Sequence, residues 1–125
     1  MTASVESGDF GIFDLNSHAV TPTRSVRFKI GDHYGWRFKV KANQPSVTWK
    51  EDFRLPVAPK TWGELEKGQR VAPDGKTCIT EKTEQLKDGW IEHTWPELEG
   101  DPLGKYLMNV YVDDHLVRTF KFTVR

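Results

Sequence analysis

The chain has 125 residues, of which 37% are hydrophobic and 29% charged, with eighteen basic residues balancing eighteen acidic ones. That is one globular domain's worth of sequence, able to bury roughly two-thirds of the surface its extended chain exposes and so to build a core without metals or cystines. The balanced charge excludes the basic footprint that nucleic acid or an anionic membrane would need, and one cysteine excludes an internal disulfide and favours a reducing compartment.

The N-terminus MTASVESGDFGIFDL has no basic n-region, apolar run or small-residue cleavage site, so a chain complete at this point is expected in the cytoplasm. Residues 1–8 are small and polar and are expected to form a flexible N-terminus, leaving residues 9–125 as a single domain. Asp9 to Leu15 is a first, weak strand. Val26, Phe28 and Ile30 alternate with Arg27 and Lys29, and Gly31-Asp32 offers a turn into the clearest strand, where Tyr34, Trp36, Phe38, Val40 and Ala42 alternate with polar residues. These two segments are expected to pair as a hairpin.

Val47, Trp49, Phe53 and Leu55 continue the period of two, interrupted by Glu51 and closed by Pro56. Residues 56–76 carry no strand pattern and read as an irregular crossover between two sheets, with one helical turn where Thr61-Trp62-Gly63-Glu64 has the form of a capping box. Cys78 to Glu84 and Gly89 to Trp95 are further weak strands. On the first, Ile79 is expected to point inward and Cys78 outward or at an edge. On the second, Ile91, His93 and Trp95 are expected inside, with Trp90, Glu92 and Thr94 outside. Tyr106, Met108, Val110 and Val112 share a face, Asp113-Asp114-His115 turns the chain, and Phe120, Phe122 and Val124 alternate on the way back, a long hairpin.

Periodicity of two throughout, with Gly, Pro and Asp between segments, predicts an all-β fold, an antiparallel β-sandwich of about seven to eight strands. Gly104-Lys105-Tyr106-Leu107-Met108 resembles the tyrosine corner of immunoglobulin-like domains, with Met108 where antibody domains carry a cysteine and with Asp101 three residues before Gly104 instead of two. Together with Gly11-Ile12-Phe13, Tyr34-Gly35-Trp36-Arg37-Phe38, Phe53-Arg54-Leu55-Pro56, Val110-Tyr111-Val112 and Phe120-Lys121-Phe122, the chain resembles small bacterial immunoglobulin-like domains of an uncharacterised family. The resemblance implies an immunoglobulin-like fold over residues 10–124, and it carries no catalytic assignment.

The motifs of common chemistries are missing. Gly75-Lys76-Thr77 imitates the end of a phosphate-binding loop, but Arg70 stands where the first glycine belongs and a strand follows instead of a helix. There is no G-x-S-x-G, no H-E-x-x-H and no paired C-x-x-C, and His18, His33, His93 and His115 lack ligand spacing. No cofactor, metal or catalytic residue is therefore expected. Of the five tryptophans, Trp36 and Trp49 are in phase with core positions, whereas Trp62 and Trp90 are expected to be more exposed and to mark a ligand or partner surface. The leading expectation is a non-enzymatic domain that contacts a protein partner or a second copy of itself. One alternative is a carbohydrate-binding module using Trp62 and Trp90. The other is an enzyme or metal site that converges only in three dimensions from Asp88, His93 and His115.

Overall fold

The computed structural model describes residues 3–125, which form strands and turns and no helix. There are ten strands: β1 (Ser4–Phe13), β2 (Val20–Pro22), β3 (Ser25–Val26), β4 (His33–Lys41), β5 (Ser46–Arg54), β6 (Gln69–Val71), β7 (Thr77–Gln85), β8 (Trp90–Pro96), β9 (Gly104–Val112) and β10 (His115–Val124). They make a four-stranded sheet in the order β2-β1-β4-β8 and a six-stranded sheet in the order β3-β10-β9-β5-β7-β6. Every pairing is antiparallel except β3 with β10.

Alternation puts one face of each strand inside. Tyr34, Trp36, Phe38 and Val40 of β4 face Trp49 and Phe53 of β5, the odd-phase set of β9 is its outer face, and Tyr106, Met108, Val110 and Val112 are buried with Phe120, Phe122 and Val124 of β10. Aromatic rings fill the space between the sheets: Phe10 lies 4.4 Å from Phe122, and Trp36 meets Trp49 edge-on at 5.0 Å. Burial of this apolar surface, at about 25 cal/mol per Å², is the main force holding the sheets face to face.

The two tight turns are set by residues that tolerate positive φ. Asp88-Gly89 (55° and 85°) and Asp113-Asp114 (47° and 66°) are two-residue loops of the kind whose twist matches that of the strands they join. The Asp113 carboxylate adds anchorage by accepting from the amides of Ala3 (3.1 Å) and Thr48 (3.3 Å).

Four features differ from the sequence reading. The additional strands β2, β3 and β6 have only two or three residues each, too few to show a period. β1 starts at Ser4, so most of the segment expected to fray is paired, with Val5 opposite Val40 and Gly8 opposite Phe38; Met1 and Thr2 lie outside the described residues. The Val26 to Ile30 segment does not form a hairpin with β4. Val26 joins the opposite sheet beside β10, the Phe28 amide donates to the Arg125 carbonyl, and Ile30 is exposed, because the chain crosses between sheets here. Residues 56–76 are not a crossover, since β5 and β7 pair directly in one sheet. They are a long hairpin excursion without a helical turn, and the Thr61 hydroxyl caps the Gly63 amide (3.0 Å) instead of starting a helix.

Tyr106 is buried, and its hydroxyl donates to the Pro102 carbonyl (2.6 Å), tying the start of β9 to the segment that leads into it. Gly104 makes this path possible: its φ is 133°, and a side chain there would press on Pro56, whose Cγ lies 3.2 Å from the Cβ position. Replacing Tyr106 by Phe keeps the ring and removes one hydrogen bond, leaving the Pro102 carbonyl without its partner. The expected loss is about 0.5–1.5 kcal/mol, read as a lower denaturation midpoint at unchanged m-value.

Candidate functional site

Glu51 occupies the middle of β5, opposite Thr80 of β7 and Val110 of β9, and its side chain points into the core with no exposure. It is in phase with Val47, Trp49 and Phe53, so it belongs to the inner face and does not break the strand. Three donors from the opposite sheet converge on it. Trp36 Nε1 of β4 donates to Oε2 (2.6 Å), Trp95 Nε1 of β8 donates to Oε1 (2.6 Å), and His93 Nδ1 of β8 donates to Oε2 (2.9 Å). Burial pushes the carboxyl upward, but the charge and hydrogen bond of His93 and the two indole N–H groups outweigh it and hold the carboxyl below its ordinary value. The cluster is a charge-assisted inter-sheet clamp built from side chains already fixed by strand register.

A second buried carboxylate has the opposite character. Glu97 follows β8, is 1% exposed, and neither of its oxygens has a hydrogen-bond partner among the described residues. Burial pushes its carboxyl up to about 7; the Lys29 backbone pulls the other way from outside hydrogen-bond geometry, and Asp32 and Asp101 add smaller contributions to the rise. The Glu97 backbone is tied to the turn before β4, its amide donating to the Asp32 carbonyl (2.9 Å).

On the outer face of the four-stranded sheet lies a cleft of about 500 Å³ lined by Trp90, Arg37, Glu92, His18, Lys87 and their neighbours. The Arg37 guanidinium sits 4.0 Å from the centre of the Trp90 ring, and the Lys39 ammonium lies 5.3 Å from it. Glu92 accepts from Arg37 Nε (3.3 Å) and from His18 Nδ1 (2.9 Å), so the cleft floor is a linked row of charges around one indole.

Trp62 and Trp90 are each partly buried, whereas Trp36 and Trp49 are closed off from solvent. They do not share a surface. Trp62 lids the end of the core, packing on Phe53 (6.0 Å) and Trp95 (5.8 Å) with Nε1 donating to the Gly75 carbonyl (2.9 Å). Trp90 lies at the far end of β8 from Trp95, roughly 17 Å away at 3.3–3.4 Å per residue, and on the other face. A sugar would also find the Trp90 ring already covered by Arg37.

Cys78 is buried, contrary to the outward position expected for it, and Ile79 is the outer residue. Cys78 pairs across from Phe53, whose own partner on the far side is Met108, and residues directly opposite in a ladder share a face. Burial, reinforced by the nearby Glu51 charge, pushes its thiol up to about 11, which suits a core residue and not a nucleophile. Asp88, His93 and His115 are not assembled: His93 is turned inward on Glu51, while Asp88 is exposed in the turn before β8 and His115 is exposed at the start of β10 in the other sheet. Among the described residues no three His, Cys, Asp or Glu side chains are grouped to hold a metal. Sequence reasoning missed Glu51 and Glu97; the signal for Glu51 was its even spacing from Trp49 and Phe53, which outranks its charge.

The sequence profile of a family described as PM0630 beta sandwich domain matches residues 8–125. No curated protein matches the sequence. An immunoglobulin-like protein from Pseudomonas aeruginosa superposes with a TM-score of 0.68 at 19% identity, covering 100% of this chain and 98% of that one, a likeness that shows the fold alone. Alkylpurine DNA glycosylase AlkC of Pseudomonas fluorescens, bound to DNA containing an abasic site analogue, aligns over 94% of this chain and 30% of its own with a TM-score of 0.40 at 14% identity, too weak a likeness to support any argument.

Glu51→Ala leaves two buried indole N–H groups and His93 without their acceptor and is expected to cost about 3–5 kcal/mol. Glu51→Gln, which keeps one acceptor and turns an amide donor toward another donor, should fall between it and the parent in thermal denaturation. Glu97 gives a signed pH dependence. From its ordinary value of 4.5 up to about 7 the folded chain holds a proton that the unfolded chain has lost, so stability falls as pH rises across this window. Glu97→Gln is expected to flatten that fall, by on the order of 2 kcal/mol between pH 5 and 7.5 in chemical denaturation. The Glu51 contribution runs the other way: it is present above the ordinary carboxylate range and is lost as the solution turns acid.

Proposed function

Because the chain belongs to the PM0630 beta sandwich domain family, whose shared fold is a scaffold and not an activity, we propose that it is a non-enzymatic immunoglobulin-like domain acting through protein contact. The contact surface is the cleft at Trp90 and Arg37. The observation that carries this reading is the pairing of a half-buried tryptophan with a stacked arginine at the centre of a concave, charged outer face. Tryptophan and arginine are the residue types that dominate binding energy at protein interfaces, and their mutual stacking holds both in one orientation before a partner arrives. The row of His18, Glu92 and Arg37 offers both signs of charge within a few ångströms, which matches a protein surface better than a polyanion. The deep core argues the same way. Glu51 is consumed in holding the sheets together through Trp36, His93 and Trp95, and the one thiol is protonated and enclosed.

A photo-reactive amino acid placed at Lys87, on the rim of the cleft, tests this in cells that make the protein. Protein adducts are expected at Lys87 and not at the control position Lys121 on the opposite sheet. Their yield should drop with Trp90→Ala, in line with a loss of roughly 2 kcal/mol or more in binding at a protein that still unfolds cooperatively. Adducts no more frequent at Lys87 than at Lys121 would dismiss the cleft as a contact surface.

A further inference from the structure

β8 is a full-length strand standing at the end of a sheet. Among the described residues the other three terminal strands, β2, β3 and β6, have only two or three residues. Antiparallel ladders alternate between residues that exchange hydrogen bonds with the neighbour and residues whose peptide groups point away from it. Two bonds fix the phase of β8. The Val40 amide donates to the Gly89 carbonyl (2.7 Å) at one end, and the Glu97 amide donates to the Asp32 carbonyl (2.9 Å) at the other. In the register between them, Ile91, His93 and Trp95 bond to β4, and the peptide groups of Trp90, Glu92 and Thr94 point to the open side. The Trp90 amide is used locally, donating to the Lys87 carbonyl (3.0 Å), and Pro96 has no N–H. Two complete donor-acceptor pairs, those of Glu92 and Thr94, are left on the edge with no strand beside them.

We infer that this edge takes a β8 strand from a second copy of the chain, joining two four-stranded sheets into one continuous sheet across a two-fold axis. The inference rests on the contact reading above and names its partner. Three two-fold registers use the open groups. Setting Glu92 against its own copy brings two carboxylates face to face, which is unfavourable for directly opposed residues. Setting Thr94 against its own copy places Glu92 opposite Pro96, which has no N–H to give. Setting Glu92 against Thr94 of the second copy satisfies all four peptide groups of each window and keeps the two Glu92 carboxylates from facing each other; it sets His93 opposite its own copy, with each imidazole held by its own Glu51 carboxylate (2.9 Å). It also aligns Trp90 with Pro96 of the second copy, the two residues with no free amide, and places the indole against the pyrrolidine ring. The strand therefore carries a self-complementary window closed at both ends, and the same mode of strand addition is a common route to association. The cleft at Trp90 then lies beside the two-fold seam, which fits adducts formed from Lys87.

Sedimentation equilibrium of the full chain, combined with site-resolved amide hydrogen exchange, tests this. The expected result is a dimer in which the Glu92 and Thr94 amides exchange slowly and lose that protection on dilution. Thr94→Pro removes a donor that β4 does not use and should raise the dimer dissociation constant at least roughly 100-fold, the equivalent of losing one bond on each side of the axis. If this variant does not fold, the concentration-dependent protection of the two amides in the parent chain decides the matter. A chain that stays monomeric at millimolar concentration overturns the inference, as does a dimer in which both amides exchange at solvent rates. A monomer that still forms Lys87 adducts with a different protein overturns the second copy as partner and leaves the contact reading standing. An absence of adducts with a monomeric chain removes both.

Discussion

The two sheets of this sandwich are joined at their centre by a single ionised side chain. Glu51 projects from β5 into a fully dry position and receives Trp36, His93 and Trp95 from the facing sheet. Antibody domains join their sheets near this place with a disulfide packed against a tryptophan. Here the lone cysteine makes that impossible, and hydrogen bonds from indole and imidazole to a carboxylate take over the role. A buried carboxylate in a medium of low dielectric is tolerable only while its donors stay in place, so the clamp constrains register: a slip of β5, β4 or β8 by one residue would strand the charge. Hydrophobic burial supplies the bulk of the stability, and the clamp specifies which face of each strand meets which.

The rest of the molecule follows from that fixed frame. Because Trp36 and His93 must point inward to reach Glu51, their neighbours Arg37 and Glu92 must point outward, and with them Trp90 and Lys39. The charged cleft on the outer face is thus the reverse side of the clamp. Gly35 is part of the same arrangement. A Cβ there would run into the His93 carbonyl, so only glycine lets β4 approach β8 closely enough at Thr94, between the two clamp donors of β8, His93 and Trp95. The long excursion after β5 closes the end of the core with Trp62, whose Nε1 bond to Gly75 holds the lid to its own loop.

Glu97 is the counterweight to Glu51. Both are glutamates at zero or near-zero exposure, but one is surrounded by donors and ionised, whereas the other is buried with no donor on either oxygen, with Asp32 and Asp101 nearby, and retains a proton to near neutral pH. The difference lies in the neighbours and not in the depth of burial.

Strand content, the core set of β4, β9 and β10, the turn at Asp113-Asp114, and the outward phase of Trp90 all follow from the sequence, because a period of two and residues that accept positive φ are local properties. The positions of Cys78, of the Val26 to Ile30 segment and of the 56–76 excursion do not follow from it. Each depends on which strand lies alongside, and strand pairing is a long-range choice with no local trace. Glu51 shows the limit most clearly. Its place on the inner face is already fixed by its spacing from Trp49 and Phe53, but a carboxylate can occupy that place only when donors from β4 and β8 arrive from the opposite sheet. The sequence alone determined the alternation that makes two sheets. Only the tertiary structure decided which side chains meet between them, because the partners that satisfy a buried charge are brought together by packing and not by proximity along the chain.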